Sequence, residues 1–227
     1  MDDGAIRTGT WWHKQRAFTL AELIADGIVH VIGLIVAIAA GSALLALALV
    51  KTAPGEFPAL VLYVGSLITV LSVSLAYNLC PISPIKRHLA RLDQAAIFLF
   101  IAGTYTPFLA VLGGEQAGRL MMVLVWGAAL VGIALKLIVP ERFGRMAIAL
   151  YLAIGWSGVL VFQNLAEILP PTTMGLMLAG GIVYSLGIIF HLWEKLRFQN
   201  VLWHVFVVAG ASLHLWAILD CMVFSRL

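Results

Sequence analysis

Seven apolar runs, each of roughly 20 residues, divide this chain and constrain its fold more than any other feature. A helix of about 20 apolar residues crosses the hydrocarbon core of a bilayer, and a helix satisfies its own backbone groups there. The composition agrees, because 62% of the residues are hydrophobic, whereas a soluble domain is about 45–50% apolar. The sequence therefore predicts an all-α polytopic membrane protein, a seven-transmembrane-helix bundle. The predicted helices are Leu20–Val50, Ala59–Cys80, Leu92–Leu112, Leu120–Val139, Met146–Leu165, Thr173–Trp193 and Asn200–Phe224.

The N-terminal segment, residues 1–18, is polar and precedes the first apolar run. Trp11 and Trp12 stand close to Lys14, and tryptophan beside basic residues is typical of the headgroup level of a membrane. We expect this segment to lie at the interface, with a partly disordered tail as the alternative. The whole chain, residues 1–227, is predicted to form a single domain.

Basic residues are concentrated at one end of the predicted helices. Eleven of the fourteen Lys and Arg residues lie on the side of the N-terminal segment. Because basic loops stay in the cytoplasm, we predict a cytoplasmic N-terminus and a C-terminus outside. The densest cluster is expected in a loop between helices 2 and 3, where Pro81 and Pro84 interrupt the helical pattern. This basic cluster consists of Lys86, Arg87, His88 and Arg91.

Polar residues interrupt four of the predicted helices at a common depth. On helix 1 they recur every four residues, and on helices 2 and 7 they form pairs one turn apart, so each set shares a face. Ionisable groups inside a membrane are costly and usually mark a functional site. The predicted topology places all of them near the cytoplasmic face. They are Glu22, Asp26 and His30 of helix 1, Ser74 and Asn78 of helix 2, Asp93 at the start of helix 3, and Asn200 and His204 of helix 7.

Each of these residues also has a structural interpretation. Glu22 could be a solvated charge at the interface, and Asp93 a carboxylate favoured by the dipole at a helix start. Ser74 could bond its own helix backbone, and Asn200 could cap its helix. His204 could be a structural histidine bonded to a neighbouring helix.

The middle of the chain resembles a known family. The run RLDQAAIFLFIAGTYTPF, preceded by Ser74-x-x-x-Asn78, is similar to the hemolysin III branch of the progestin and adipoQ receptor (PAQR) superfamily. The family pattern is Ser-x-x-x-His, a basic loop, an Asp, and then Gly-Thr-Tyr-Thr-Pro. In helix 7, NVLWHVFVVAGASLH resembles the family's His-x-x-x-Trp-His or His-x-x-x-His ending. Helix 1 resembles the family's start, although the family more often has Asn at the position of Asp26.

The resemblance implies a zinc site, and this chain departs from it. The family's zinc ligands fall on Asn78, Asn200 and His204, and its water-holding Asp and clustered Ser fall on Asp93 and Ser74, which would be the catalytic residues of an enzyme. Only His204 retains a histidine. Zinc prefers imidazole and thiolate to a neutral amide, so we predict that zinc is absent or weakly bound. The alternative is a rebuilt ligand set, His204 with Asp93 and either His30 or Asp26.

The resemblance also sets the functional expectations. We expect a hemolysin III-like protein of the bacterial cytoplasmic (inner) membrane that acts in membrane lipid homeostasis or sensing. Its expected partners are membrane lipids, with a possible lipid ligand inside the bundle, and no nucleic acid, because the basic loops face an anionic lipid surface. The alternative is a zinc-dependent, ceramidase-like hydrolase of lipid amides. A proton or ion pathway and a cytolysin are lower alternatives.

Overall fold

The computed structural model describes residues 18–139 and 144–226, and these form helices without a strand. Seven helical segments are long and apolar enough to cross a membrane, so the predicted all-α, seven-helix architecture is confirmed. The predicted interfacial segment lies outside the described residues, except for Phe18. The helices are α1 (Leu20–Lys51), α2 (Phe57–Leu79), α3 (Pro84–Val111), α4 (Gln116–Ile138), α5 (Gly144–Trp156), α6 (Phe162–Ile168), α7 (Pro171–Leu192) and α8 (Gln199–Met222).

The basic cluster lies on a helix, so the prediction of a basic loop is wrong. Proline is well tolerated in the first turn of a helix, where its missing N–H has no partner in any case. Here Pro84 is the first residue of α3, and the Ser83 hydroxyl caps the helix by accepting from the Lys86 N–H at 3.2 Å. The Lys86 ammonium donates to the carbonyls of Tyr77 and Cys80 at the end of α2. The basic cluster therefore lies in the first turns of α3, and its Lys86 provides hydrogen-bond donors for carbonyls at the C-terminal end of α2.

The fifth membrane crossing is interrupted, although the sequence predicted one continuous helix. A 3₁₀ segment, Ser157–Val161, separates α5 from α6. The Tyr105 hydroxyl of α3 donates to the Gly155 carbonyl at 2.6 Å and accepts from the Gly158 N–H at 2.8 Å. Tyr105 thus supplies partners for backbone groups that the interrupted helix leaves open.

The helices pack in a ring that follows the chain order, and α8 closes it by packing against both α7 and α1. Two glycines let α7 and α8 approach closely: the His214 ring lies over Gly180, and the Tyr184 ring lies over Gly210. A Cβ at either glycine would lie 2.9 Å from the facing ring, which is the small-residue packing that membrane helices use. Contacts from α5 and α6 to α7 are sparse, so the ring is loosest there.

Candidate functional site

Six polar side chains from three helices meet inside the bundle, and we call them the buried cluster. Their spacing turns each pair toward one face of its helix, and α1 packs against both α2 and α8. All but one of the six are buried. The buried cluster consists of Asp26 and His30 of α1, Ser74 and Asn78 of α2, and Asn200 and His204 of α8.

Asp26 orients both imidazole rings of the buried cluster. Its Oδ1 lies 2.6 Å from His204 Nδ1, and its backbone oxygen lies 2.9 Å from His30 Nδ1. Carboxylate and carbonyl oxygens only accept hydrogen bonds, so each Nδ1 carries a proton and donates it. The two rings lie edge to face with their centroids 4.2 Å apart. The bond between Asp26 and His204 is also one that a structural histidine between two helices would make.

Ser74 lies between the remaining ring nitrogens. Its Oγ is 3.0 Å from His30 Nε2 and 3.5 Å from His204 Nε2. Because His30 Nδ1 holds the proton of the neutral ring, His30 Nε2 accepts and the Ser74 hydroxyl donates. The hydroxyl thus bonds across to α1, and the interpretation that it serves its own helix backbone is wrong.

Two amides connect the three helices. Asn200 Nδ2 donates to Asp26 Oδ2 at 3.2 Å and to Asn78 Oδ1 at 3.0 Å. Asn78 Nδ2 in turn donates to the Ser74 carbonyl at 2.9 Å. The interpretation of Asn200 as a helix cap is wrong, because the cap position of α8 belongs to Phe198. The amides bond to each other and to a carboxylate.

The other two predicted residues lie beside the buried cluster. Glu22 is buried, and its carboxylate accepts from the backbone N–H groups of Thr19 and Phe198, each at 2.9 Å. It is therefore no solvated charge, and it fixes the chain before α8 to the start of α1. Asp93 lies in the third turn of α3, too far from the helix start for a dipole role. It stands next to Ser74 on the wall of a cavity.

This cavity has a volume of about 250 Å³ and extends from the buried cluster toward α5, α6 and α7. One end is polar, formed by His30, Ser74, Asp93 and His204. Most of the remaining wall is apolar, including Ile97, Ile101, Phe108, Leu152, Phe162 and Met174. A cavity with one polar end and apolar walls matches an amphiphile.

Sequence reasoning missed two pairs of residues that bond one helix to another. Trp156 Nε1 donates to Ser185 Oγ at 3.0 Å, which joins α5 to α7 where the ring is loosest. Lys136 is fully buried, and its ammonium donates to Gln94 Oε1 at 2.7 Å. The available signal was that this lysine lies just inside the end of an apolar run. The sequence analysis instead counted it with the basic residues of the following loop.

Two of the three positions that the resemblance assigns to zinc ligands carry amides in this chain. The amides of Asn78 and Asn200 bond to each other and to neighbouring groups, and amide oxygens are weak ligands for zinc. Among the described residues, one group of potential ligand atoms lies within 4.8 Å of one another, on Asp26, His30 and His204. In the structure the Asp26 carboxylate bonds to His204, and His30 bonds to the Asp26 carbonyl and to Ser74. A metal ion would have to replace such hydrogen bonds.

Comparison with known proteins gives a consistent result. The model of a family described as haemolysin-III related matches residues 18–215. Hemolysin-3 of Bacillus cereus is 34% identical over 198 residues, covering 87% of this chain and 90% of that protein. The Hemolysin-3 homolog of Bacillus subtilis (strain 168) is 33% identical over 208 residues, covering 91% and 95%. The human monocyte to macrophage differentiation factor is 29% identical over 129 residues, covering 56% and 52%.

Proposed function

This chain belongs to the haemolysin-III-related family of membrane proteins, and we propose that it acts in membrane lipid homeostasis or sensing by binding a membrane lipid inside its bundle. The proposal places it in the bacterial cytoplasmic membrane. Its relatives in two Bacillus species and the basic residues concentrated at one end of the helices support this location.

The observation that carries the proposal is the mostly apolar cavity with the polar end that His30, Ser74, Asp93 and His204 form. Ligand sites are mostly apolar, with a few polar groups that fix orientation. The acyl chain of the lipid would lie along the apolar wall, and its polar group would meet Ser74, Asp93 and the histidines. The volume of about 250 Å³ is near the lower end of ligand pockets, about 300–1,000 Å³. It therefore suits one acyl chain with its polar end.

A cavity-filling variant tests lipid binding. Gly181 lines the cavity, and a Cβ there would meet the Trp156 ring at 3.6 Å. We expect native mass spectrometry of the purified protein to show co-purified lipid in the wild type and its loss in Gly181→Leu. Gly65→Leu is the matched control, because a Cβ at this exposed glycine meets nothing within 4 Å. Equal lipid retention in both variants would contradict binding in this cavity.

A lipidomic comparison of cells with and without the protein tests the physiological role. A broad shift in acyl-chain saturation on deletion is the result expected for homeostasis or sensing. Accumulation of one amide-linked lipid would instead indicate hydrolysis.

The second candidate is a zinc-dependent hydrolase of lipid amides, and the grouping of Asp26, His30 and His204 favours it. One carboxylate and two imidazoles are a sufficient protein ligand set for catalytic zinc. Such a metal would activate a water next to Asp93 and Ser74 at the polar end of the cavity. Stoichiometric zinc in the purified protein would support this function over the first.

A further inference from the structure

The cavity wall carries a second pair of polar groups, away from the buried cluster. Tyr184 of α7 and His214 of α8 both line the cavity, and their rings lie nearly parallel, with centroids 5.5 Å apart and an interplanar angle of 24°. The Tyr184 hydroxyl and His214 Nδ1 are buried, and neither has a hydrogen-bond partner among the residues that the structure describes. Buried polar atoms in folded proteins almost always have a partner, so this pair indicates a ligand group that supplies one.

The hydrogen-bonding roles of the two atoms identify that group. His214 Nε2 lies 3.2 Å from the Met177 carbonyl oxygen, and a carbonyl only accepts, so Nε2 carries the proton of the neutral ring. His214 Nδ1 is then an acceptor, whereas the Tyr184 hydroxyl is able to donate. A hydroxyl group satisfies both atoms, because it donates to the imidazole nitrogen and accepts from the tyrosine. A carbonyl or ether oxygen has no proton for Nδ1, and an ammonium group has no lone pair for the tyrosine.

The position of His214 on α8 sets where this hydroxyl lies on a bound chain. His204 belongs to the polar end of the cavity, and His214 follows it by ten residues. At a rise of about 1.5 Å per residue the two lie about 15 Å apart along the helix, the length of about 12 carbons of an extended alkyl chain. Val207 and Val208 line the cavity between them, so an apolar stretch separates the two polar positions.

We propose that Tyr184 and His214 form a subsite for a hydroxyl group on the chain of the bound lipid, so that the cavity selects long-chain amphiphiles with a second hydroxyl about 15 Å from the head group. This inference rests on the proposed function, because it requires a lipid in the cavity, and it adds the chemical class of that lipid. A plain alkyl chain leaves both atoms without a partner, whereas a hydroxylated chain supplies one and therefore binds more tightly.

Three alcohols of one chain length test the subsite. Octadecan-1-ol lacks a second hydroxyl, octadecane-1,12-diol carries one at the expected position, and octadecane-1,2-diol carries one beside the head group. Each diol would be mixed in equal amount with octadecan-1-ol and added to the delipidated full chain in detergent, and native mass spectrometry would measure the ratio retained. We expect the wild type to prefer octadecane-1,12-diol roughly 5–100-fold, the contribution of two hydrogen bonds.

Two variants attribute the preference to the subsite. Tyr184→Phe removes the hydroxyl and keeps the ring, so the preference for octadecane-1,12-diol should fall roughly 2–12-fold, the loss of one hydrogen bond. The ratio for octadecane-1,2-diol should stay as in the wild type. Tyr151→Phe is the matched control and should keep both ratios, because Tyr151 also lines the cavity but its hydroxyl already donates to the Gln94 carbonyl at 2.7 Å.

Melting temperatures of the same proteins give a second readout. Without alcohol, Tyr184→Phe should melt no lower than the wild type, because the hydroxyl that it removes has no partner inside the described protein. With octadecane-1,12-diol, the wild type should gain more stability than the variant, since tighter binding to the folded state raises the melting temperature further.

The outcomes separate the subsite from lipid binding itself. Equal retention of octadecan-1-ol and octadecane-1,12-diol by the wild type, or an unchanged preference in Tyr184→Phe, would overturn the subsite and leave lipid binding intact. A lower melting temperature of alcohol-free Tyr184→Phe would show that the hydroxyl is bonded within the protein and would also overturn the subsite. Retention of none of the three alcohols would overturn the subsite and count against lipid binding in the cavity as well.

Discussion

At the residue scale, Asp26 accepts hydrogen bonds from three residues of the buried cluster. Its two carboxylate oxygens accept from His204 and Asn200, and its carbonyl accepts from His30. A buried carboxylate is costly unless its partners compensate for the loss of water. His204 and Asn200, both on α8, provide that compensation, so Asp26 ties α1 to α8.

Replacing Asp26 by Asn should therefore destabilise the bundle. One side-chain atom becomes an NH₂ group, which cannot accept from both His204 and Asn200, so a buried donor loses its partner. The expected cost is about 1–3 kcal/mol, which lowers the melting temperature by roughly 2–12 °C for a chain of this size. Thermal unfolding in detergent measures it. An unchanged melting temperature would show that the carboxylate is not needed as a double acceptor.

The residues of the site were predictable in part. Spacing on α1, α2 and α8 identified the polar residues, because one helical turn places such pairs on one face. It did not predict that Asp26, rather than Asp93, bonds to His204 and Asn200. That choice depends on how far each helix is rotated about its axis, which tertiary packing decides.

At the element scale, the sequence predicted that the helices exist but misplaced some of their ends and interruptions. The start of α3 was placed too late because Pro84 was interpreted as a break, although proline also suits the first turn of a helix. The interruption of the fifth crossing was missed because its partner, Tyr105, lies about 50 residues earlier in the chain. Local pattern predicts that a helix exists more reliably than where it ends.

An ion pair between the start of α2 and the segment after α8 predicts how stability depends on pH. The Arg226 guanidinium donates to both carboxylate oxygens of Glu56, at 2.5 and 2.9 Å, and this holds the pKa of Glu56 below its ordinary value. Because the folded-state pKa is lowered, the stabilisation is present above the unfolded pKa of about 4.3 and is lost as the pH falls through the folded pKa.

Melting temperatures of the wild type and Glu56→Gln measure this contact. The wild type should be more stable at pH 7, by at most about 1 kcal/mol for a pair this exposed. The difference should begin to shrink below about pH 4.3 and should disappear as the pH falls through the lowered pKa of Glu56 in the folded protein. A difference that stays constant between pH 7 and pH 3 would show that the charge of Glu56 is not responsible.

At the scale of the whole molecule, the apolar runs predicted the architecture. Each of the seven apolar runs is long enough to cross the bilayer once as a helix, so the number of membrane crossings could be predicted from the sequence alone. The cavity was not, because it depends on the sparse packing of α5 and α6 against α7. The sequence periodicity of one helix does not predict how closely another helix packs against it.

The orientation in the membrane is a prediction of the same scale. Single cysteines at Lys51 and Arg87, introduced after both native cysteines are replaced, should react with an impermeant maleimide from opposite sides. Basic residues favour the cytoplasm, so Arg87→Cys should be labelled from the cytoplasmic side and Lys51→Cys from outside. Labelling of both from one side would contradict the single membrane crossing, α2, that separates them.

Zinc content measured beside a double substitution tests the central claim that hydrogen bonds, rather than a metal, hold the buried cluster. Elemental analysis of the purified wild type should find no stoichiometric zinc. The variant Asn78→His/Asn200→His restores three imidazoles at the family ligand positions and should gain about one tightly held zinc ion per chain. Stoichiometric zinc in the wild type, lost in His204→Ala, would contradict the account and favour the metal-dependent hydrolase.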